Sequence, residues 1–200
     1  MTELPRGAVP VTVGFGLWGP FRMSDDPGMD DHRAAVVGAD LLIRAAEPSD
    51  VEIVHRFIVD LAEAEQFPGP VMAGPEDLAS ALFGPRPVAE AVVAMIGAEP
   101  AGFALFYSTY STIVGRPGIH LEDLYVRPEY RDNGLGRALL SHLADLALGR
   151  GCARLEWWVL RTNEPALRFY RRLRARDLDE IDVLRLDGQA LNDLAASVLV

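Results

Sequence analysis

Two hundred residues, half of them hydrophobic and 24% charged, are enough for one domain with a core and some excess chain. All 19 basic residues are arginine; against 29 acids they leave a net charge of −10, which argues against nonspecific binding to nucleic acid or an anionic membrane and favours a cationic substrate. Cys152 is the only cysteine, so no intrachain disulfide forms, a reducing cytoplasmic compartment is expected, and its apolar neighbours point to buried packing. No apolar run approaches the ~20 residues of a membrane-spanning helix, and no histidine cluster or Cys/His spacing points to a metal.

Residues 1–38 are rich in Gly, Pro and Asp, show no sustained period, and read as an irregular N-terminal extension to a folded domain over 39–200. Within them Gly14-Phe15-Gly16-Leu17-Trp18-Gly19 has the form G-x-G-x-x-G after a short β-like run. A dinucleotide fingerprint needs a helix to start inside the glycines, and Pro20 with Asp25-Asp26-Pro27-Gly28 denies it one.

Asp40 to Ala46 predicts a short strand, and Pro48-Ser49-Asp50 then opens a helix whose apolar positions Ile53, Val54, Phe57, Ile58, Leu61 and Ala62 keep helical spacing to an end near Gln66 to Pro68. A second short helix runs from Gly74-Pro75 to about Phe83 and is stopped by Gly84-Pro85. Ala89 to Ile96 and Ala101 to Tyr110 are apolar runs about a turn at Gly97 to Pro100, a hairpin. Tyr107 and Tyr110 alternate out of step, so at most one faces a ligand.

The informative stretch is residues 119–150. A strand over His120 to Val126 meets Arg127-Pro128, then a loop over Arg131 to Gly136, then a helix from Leu135 to Gly149 with apolar positions at Leu139, Leu140, Leu143, Leu146 and Ala147. Such a junction aims unpaired N–H groups and the positive end of a helix dipole at one spot, which suits a phosphate. Strand alternation turns Asp123 to the face opposite Glu122 unless a bulge intervenes, so Asp123 reads as structural.

Arg154 to Val159 predicts the next strand. Asn163-Glu164-Pro165 then caps a helix on which Tyr170, two turns along, shares one groove with Asn163. Arg168, Arg171, Arg172, Arg174 and Arg176 form a basic run whose plain readings are cofactor phosphates and solvent. Gly188 to Ala196 predicts a last short helix.

Three segments together carry a resemblance. Arg131-Asp132-Asn133-Gly134-Leu135-Gly136 fits the loop R/Q-x-x-G-x-G/A, Leu121-Glu122-Asp123-Leu124-Tyr125-Val126 precedes it, and Thr162 to Tyr170 follows. They resemble the GNAT-family N-acetyltransferases and, within them, the diamine branch typified by spermidine/spermine N-acetyltransferase. The resemblance implies an α/β (α+β) domain whose mixed central sheet is flanked by helices and split in a V between its fourth and fifth strands. It also implies acetyl-coenzyme A as co-substrate, a small cationic amine as acceptor, and a homodimer.

By the same resemblance, the loop residues Arg131, Asp132, Asn133, Gly134, Leu135, Gly136 and Arg137 would hold the pyrophosphate. Leu124 and Val126 would offer backbone groups to the pantetheine arm, with Tyr125 lining the same stretch, and the N–H of Leu124 would polarise the thioester carbonyl. Asn163 would bond the pantetheine amide. Glu65, Trp157 and Asp182 would border the amine. Ala64 and Arg174 depart from the family pattern: an aromatic stands at the first place and a glycine at the second, so the turn at Arg174 is expected to be reshaped.

An alkyl ammonium with pKa ~10.4 leaves about one molecule in a few thousand free at pH 7, a deficit of roughly 4.6 kcal/mol, so acetyl transfer needs a base. Glu122 fits that role through an ordered water, and Tyr170 fits the acid that protonates the departing thiolate. For Glu122 an ion pair with an arginine is the competing reading. The acceptor stays open between a di- or polyamine, a lysine-like amino acid, an aminoglycoside and a protein N-terminus. A catalytically silent acyl-coenzyme A sensor is the rival from another class.

Overall fold

A five-stranded sheet with its strands in sequence order forms the frame. β1 (Leu41–Ala45), β2 (Glu90–Ile96), β3 (Glu99–Ser111) and β4 (Arg116–Val126) pair antiparallel, and β5 (Leu155–Trp157) joins β4 in parallel. The structure is a computed structural model that describes residues 40–197. The expected N-terminal extension and its G-x-G-x-x-G lie outside those residues. α1 (Val51–Ala64) and α2 (Pro75–Phe83) cover one face of the sheet; α3 (Leu135–Gly149) and α4 (Glu164–Arg172) cover the other. α5 (Gly188–Ala196) ends the described chain. This is the GNAT fold, with the expected elements in the expected order.

The apolar run Ala91 to Ala94 is buried on both faces, which is why it reads as continuous rather than alternating. Ala91 and Val93 join Val54, Phe57, Leu78 and Leu82 under α1 and α2, whereas Val92 and Ala94 join Leu135, Leu139 and Leu143 under α3. α1 is fixed at its start by Arg44, whose guanidinium grips both oxygens of Asp50 at 2.6 and 2.9 Å. That hydrogen bonding holds the Asp50 carboxyl below its ordinary pKa. From that anchor the helix runs 14 residues, about 21 Å, and delivers Glu65 to the far end of the sheet.

β4 begins at Arg116, four residues before its expected start, because β3 continues to Ser111 and pairs with it throughout. β5 is shorter than expected. Its register with β4 is confined to Ile119↔Leu155, His120↔Glu156 and Leu121↔Trp157, after which the two strands part. The V-shaped split therefore opens at Glu122. The expected reshaping at Arg174 does not occur: Arg174 takes the left-handed conformation (φ 62°) that a glycine would take, and Ala175 N–H closes onto Tyr170 O at 3.2 Å.

Candidate active site

The opening begins at a β-bulge. Opposite β3, Asp123 pairs with Leu105 and Leu121 with Phe106, so Glu122 is the extra residue. Side-chain packing agrees: Leu121, Leu124 and Val126 all pack toward α3 while Tyr125 packs toward α1, a sequence of faces that strict alternation forbids. The bulge turns Glu122 and Asp123 to the same face. The expectation that Asp123 faces away from Glu122 is therefore overturned, by the bulge it had excepted. Asp123 is part of an acidic group, and its carboxyl is pushed up to about 6, first by burial, then by the charges of Glu122 and Glu65.

Past the bulge the backbone of β4 is half used. Arg127 N–H donates to Ala101 O at 3.0 Å, which sets the phase of the antiparallel ladder and turns the N–H and C=O of Leu124 and Val126 away from β3, toward the gap. Part of that edge is already taken. Arg131 Nε donates to Val126 O at 2.9 Å, and the guanidinium lies over the Tyr125 ring at 5.7 Å. Arg131 thus ties the loop back onto the strand. Tyr125 does not line the gap: its ring is 5% exposed, packs on Phe57 at 5.2 Å, and its hydroxyl donates to Asp60 at 3.4 Å.

The loop that follows is shaped by two left-handed residues, Asp132 (φ 59°) and Gly134 (φ 82°), the second being the N-cap of α3. The first intrahelical bond is Ala138 N–H to Gly134 O at 2.9 Å, so the amides of Leu135, Gly136 and Arg137 have no acceptor within the helix. No side chain caps this end and no acid lies in its first turn. An anion would meet three free N–H groups and the positive end of a 15-residue helix. A Cβ at Gly136 would meet only Phe169 Cζ at 3.5 Å and Val126 Cγ2 at 3.8 Å, ordinary contact. Its bareness serves something other than the packing of the chain itself, and a diphosphate fits that cradle.

α4 brings the far wall. Asn163 caps it, its Oδ1 accepting from Ala166 N–H at 3.2 Å, while its Nδ2 donates to Glu65 Oε1 at 3.1 Å. Both ends of this amide are engaged, and Glu65 is tied across the gap to α4. Tyr170 lies two turns on, its ring against Trp157 at 4.9 Å and Phe169 at 5.2 Å. Burial, then the charge of Glu65, pushes its hydroxyl up to about 12. Trp157 faces α3 and backs Tyr170, so it is Trp158, 58% exposed, that shares the face of Glu122. Glu122 has no arginine partner among the described residues; His120 Nε2 lies 3.9 Å from it, and the Tyr107 hydroxyl also reaches it.

Asn133 is exposed in the loop, like Arg131 and Asp132 beside it, and Asp182 is exposed in the irregular stretch between α4 and α5.

The profile of the acetyltransferase (GNAT) family matches residues 58–174, the span from the body of α1 to the end of α4. The chain belongs to that family, and it is an acyltransferase. Among its relatives, thialysine N-epsilon-acetyltransferase of Sus scrofa is 38% identical over 78% of this chain and 98% of its own length. L-ornithine N5-acetyltransferase of Arabidopsis thaliana is 28% identical over 74% of this chain and 85% of its own. Among solved structures, an integron cassette protein from the mobile metagenome of V. cholerae superimposes with a TM-score of 0.67, at 27% identity, over 80% of this chain and 100% of its own.

Proposed function

We propose that the chain moves an acetyl group from acetyl-coenzyme A directly to the side-chain amine of a lysine-like amino acid. The observation that carries the reading is the convergence of Glu65, Glu122 and Asp123 at one end of the gap, with Tyr170 close enough for the Glu65 charge to raise its hydroxyl. Three carboxylates draw in an ammonium, and the net charge of −10 works in the same direction. The thialysine and ornithine enzymes, by their names, both acetylate a terminal amine on an amino acid. That favours an amino acid over an aminoglycoside or a protein N-terminus.

Bound acetyl-coenzyme A supplies the activated acetyl thioester. The amides of Leu135, Gly136 and Arg137 would hold its diphosphate, and the outward-facing backbone of Leu124 would align its arm. The outward Leu124 N–H would be placed to polarise the thioester carbonyl, where charge develops. Glu122, half exposed on the bulge, takes the ammonium proton through a water. Tyr170 holds its own proton throughout the neutral range and releases it to the departing sulfur. Asn163 steers the arm only after yielding its bond to Glu65, which frees Glu65 for the amine.

A cytoplasmic location is consistent with the lone buried cysteine, and no helix among the described residues is long and apolar enough to cross a membrane. A homodimer is supported by the C-terminal arm: every residue from 176 to 197 is exposed, including Leu184 at 91%, Val183 at 60% and Leu194 at 58%. Sedimentation at micromolar concentration should give twice the chain mass, and a monomer removes the dimer.

The test of function is thiol release from acetyl-coenzyme A across a panel of amines. Lysine, thialysine and ornithine should turn over best, spermidine less well, and an aminoglycoside least. Binding of acetyl-coenzyme A with no release on any amine would establish the silent sensor instead.

A further inference from the structure

The bulge lifts Glu122 out of the ladder's alternation and leaves its side chain 48% exposed. A base in that position needs something to aim it. Among the described residues two side chains reach it: the Tyr107 hydroxyl, which interacts with the carboxylate, and His120, whose Nε2 lies 3.9 Å from Glu122 Oε2. His120 itself is 5% exposed, although it sits on the same face as the open acids. Its register holds it between Tyr107 on β3 and Glu156 on β5. The Tyr107 ring stacks on it at 5.0 Å and 22°, and Trp158 meets it edge-on at 4.9 Å and 73°. An imidazole clamped by a strand and two rings is a fixed point; a half-exposed carboxylate on a bulge is not.

We propose that His120 is a positioning residue for Glu122, its Nε2 turning the carboxylate toward the gap beside Leu124. The inference rests on the reading of Glu122 as base. At 3.9 Å the pair is a small side-chain rotation, or one bridging water, from a hydrogen bond in which Nε2–H donates to Oε2. The amine's proton passes through water to Glu122 and from there to solvent, because the exposed side of that carboxylate faces water. His120 keeps its own protons and sets direction only. Stacking by itself gives no reason for a nitrogen at this position, since a phenylalanine would fill the space between Tyr107 and Trp158.

The experiment is a pair of substitutions with opposite losses. His120→Phe keeps the ring and removes both nitrogens; His120→Gln keeps an N–H donor near the Nε2 position and removes the ring. If His120 positions Glu122, kcat falls about 10- to 100-fold in the Phe variant, the scale of a misaligned reacting group, while the acetyl-coenzyme A KM stays put. The Gln variant then retains most of kcat even where its melting temperature drops. A Phe variant within twofold of the wild-type kcat, or a Gln variant that loses as much as the Phe variant at equal folded fraction, overturns the proposal. A wild-type chain inactive on every amine would instead strike the base reading beneath it.

Discussion

The two halves of β4 share one backbone and differ in what lies alongside. From Pro117 to Leu121 the strand is held on both edges: Ala153 N–H donates to Pro117 O at 2.9 Å and Ile119 N–H to Arg154 O at 3.0 Å on the β5 side, and β3 continues on the other. Ile119 and Leu121 are there buried to 2% or less. From Glu122 to Val126 one edge has no neighbouring strand, only Arg131 reaching Val126 O, and the strand carries two acids on a bulge and outward backbone groups. The first half is sheet, whose polar groups are paired and whose side chains fill a core. The second leaves backbone groups to be satisfied by a ligand, as an unpaired edge demands. The comparison teaches that the proposed chemistry lies where the sheet leaves an edge unpaired.

The largest effect that would break this contrast is expected at the wall opposite the bare edge. Tyr170→Phe removes the hydroxyl without emptying the space against Trp157, so kcat should fall about 10²-fold or more while acetyl-coenzyme A affinity holds. Unchanged turnover in a steady-state assay would mean the bare edge is not where the thiolate leaves. Because the hydroxyl is pushed up to about 12, no limb of the pH–rate profile at or below neutrality should belong to it.

A smaller effect tests the anion cradle. Gly136→Ala adds a methyl that the folded chain tolerates, and exchanging glycine for alanine in a helix is worth up to ~1 kcal/mol of stability. The variant should melt no lower than the wild type, yet bind acetyl-coenzyme A about tenfold more weakly by calorimetry, the equivalent of ~1.4 kcal/mol. Equal affinity would move the diphosphate elsewhere.

The smallest effect concerns the cost of the acidic bulge. Asp123 titrates near 6 in the folded chain against an ordinary 3.8, so its ionised form is disfavoured by folding. The penalty is absent below pH 3.8, grows as the pH rises to about 6, and is then constant at about 3 kcal/mol or less. Asp123→Asn should therefore raise the melting temperature at pH 8, gain progressively less between pH 6 and 4, and raise the amine KM severalfold. A gain independent of pH would show that burial of the charge is not its cause.

Much of this was legible in the residues. Helical spacing placed α1 and α3, with the end of α3 read at Gly149, Gly-Pro boundaries placed α2, and the glycines at 134 and 136 marked a helix terminus bare enough to take an anion. Asp123 was misjudged, since alternation is a property of one strand and the bulge exists only relative to β3. The resemblance placed Tyr125 and Trp157 along the gap; Tyr125 turns into the core under α1, and half-buried Trp157 packs toward α3 against Tyr170, because which face a side chain serves is settled by the helix lying over it. The contact between Asn163 and Glu65 spans 98 residues and leaves no local trace in the chain.

What the order of amino acids determined by itself was local: the periodicity that makes each element and the glycines that open the loop. Those follow from backbone sterics and from burial within a few residues. Only the tertiary structure decided where β5 leaves β4, which acids share a face, and which histidine stands beside Glu122. These are distances between segments far apart along the chain, and packing against a second element is what sets them.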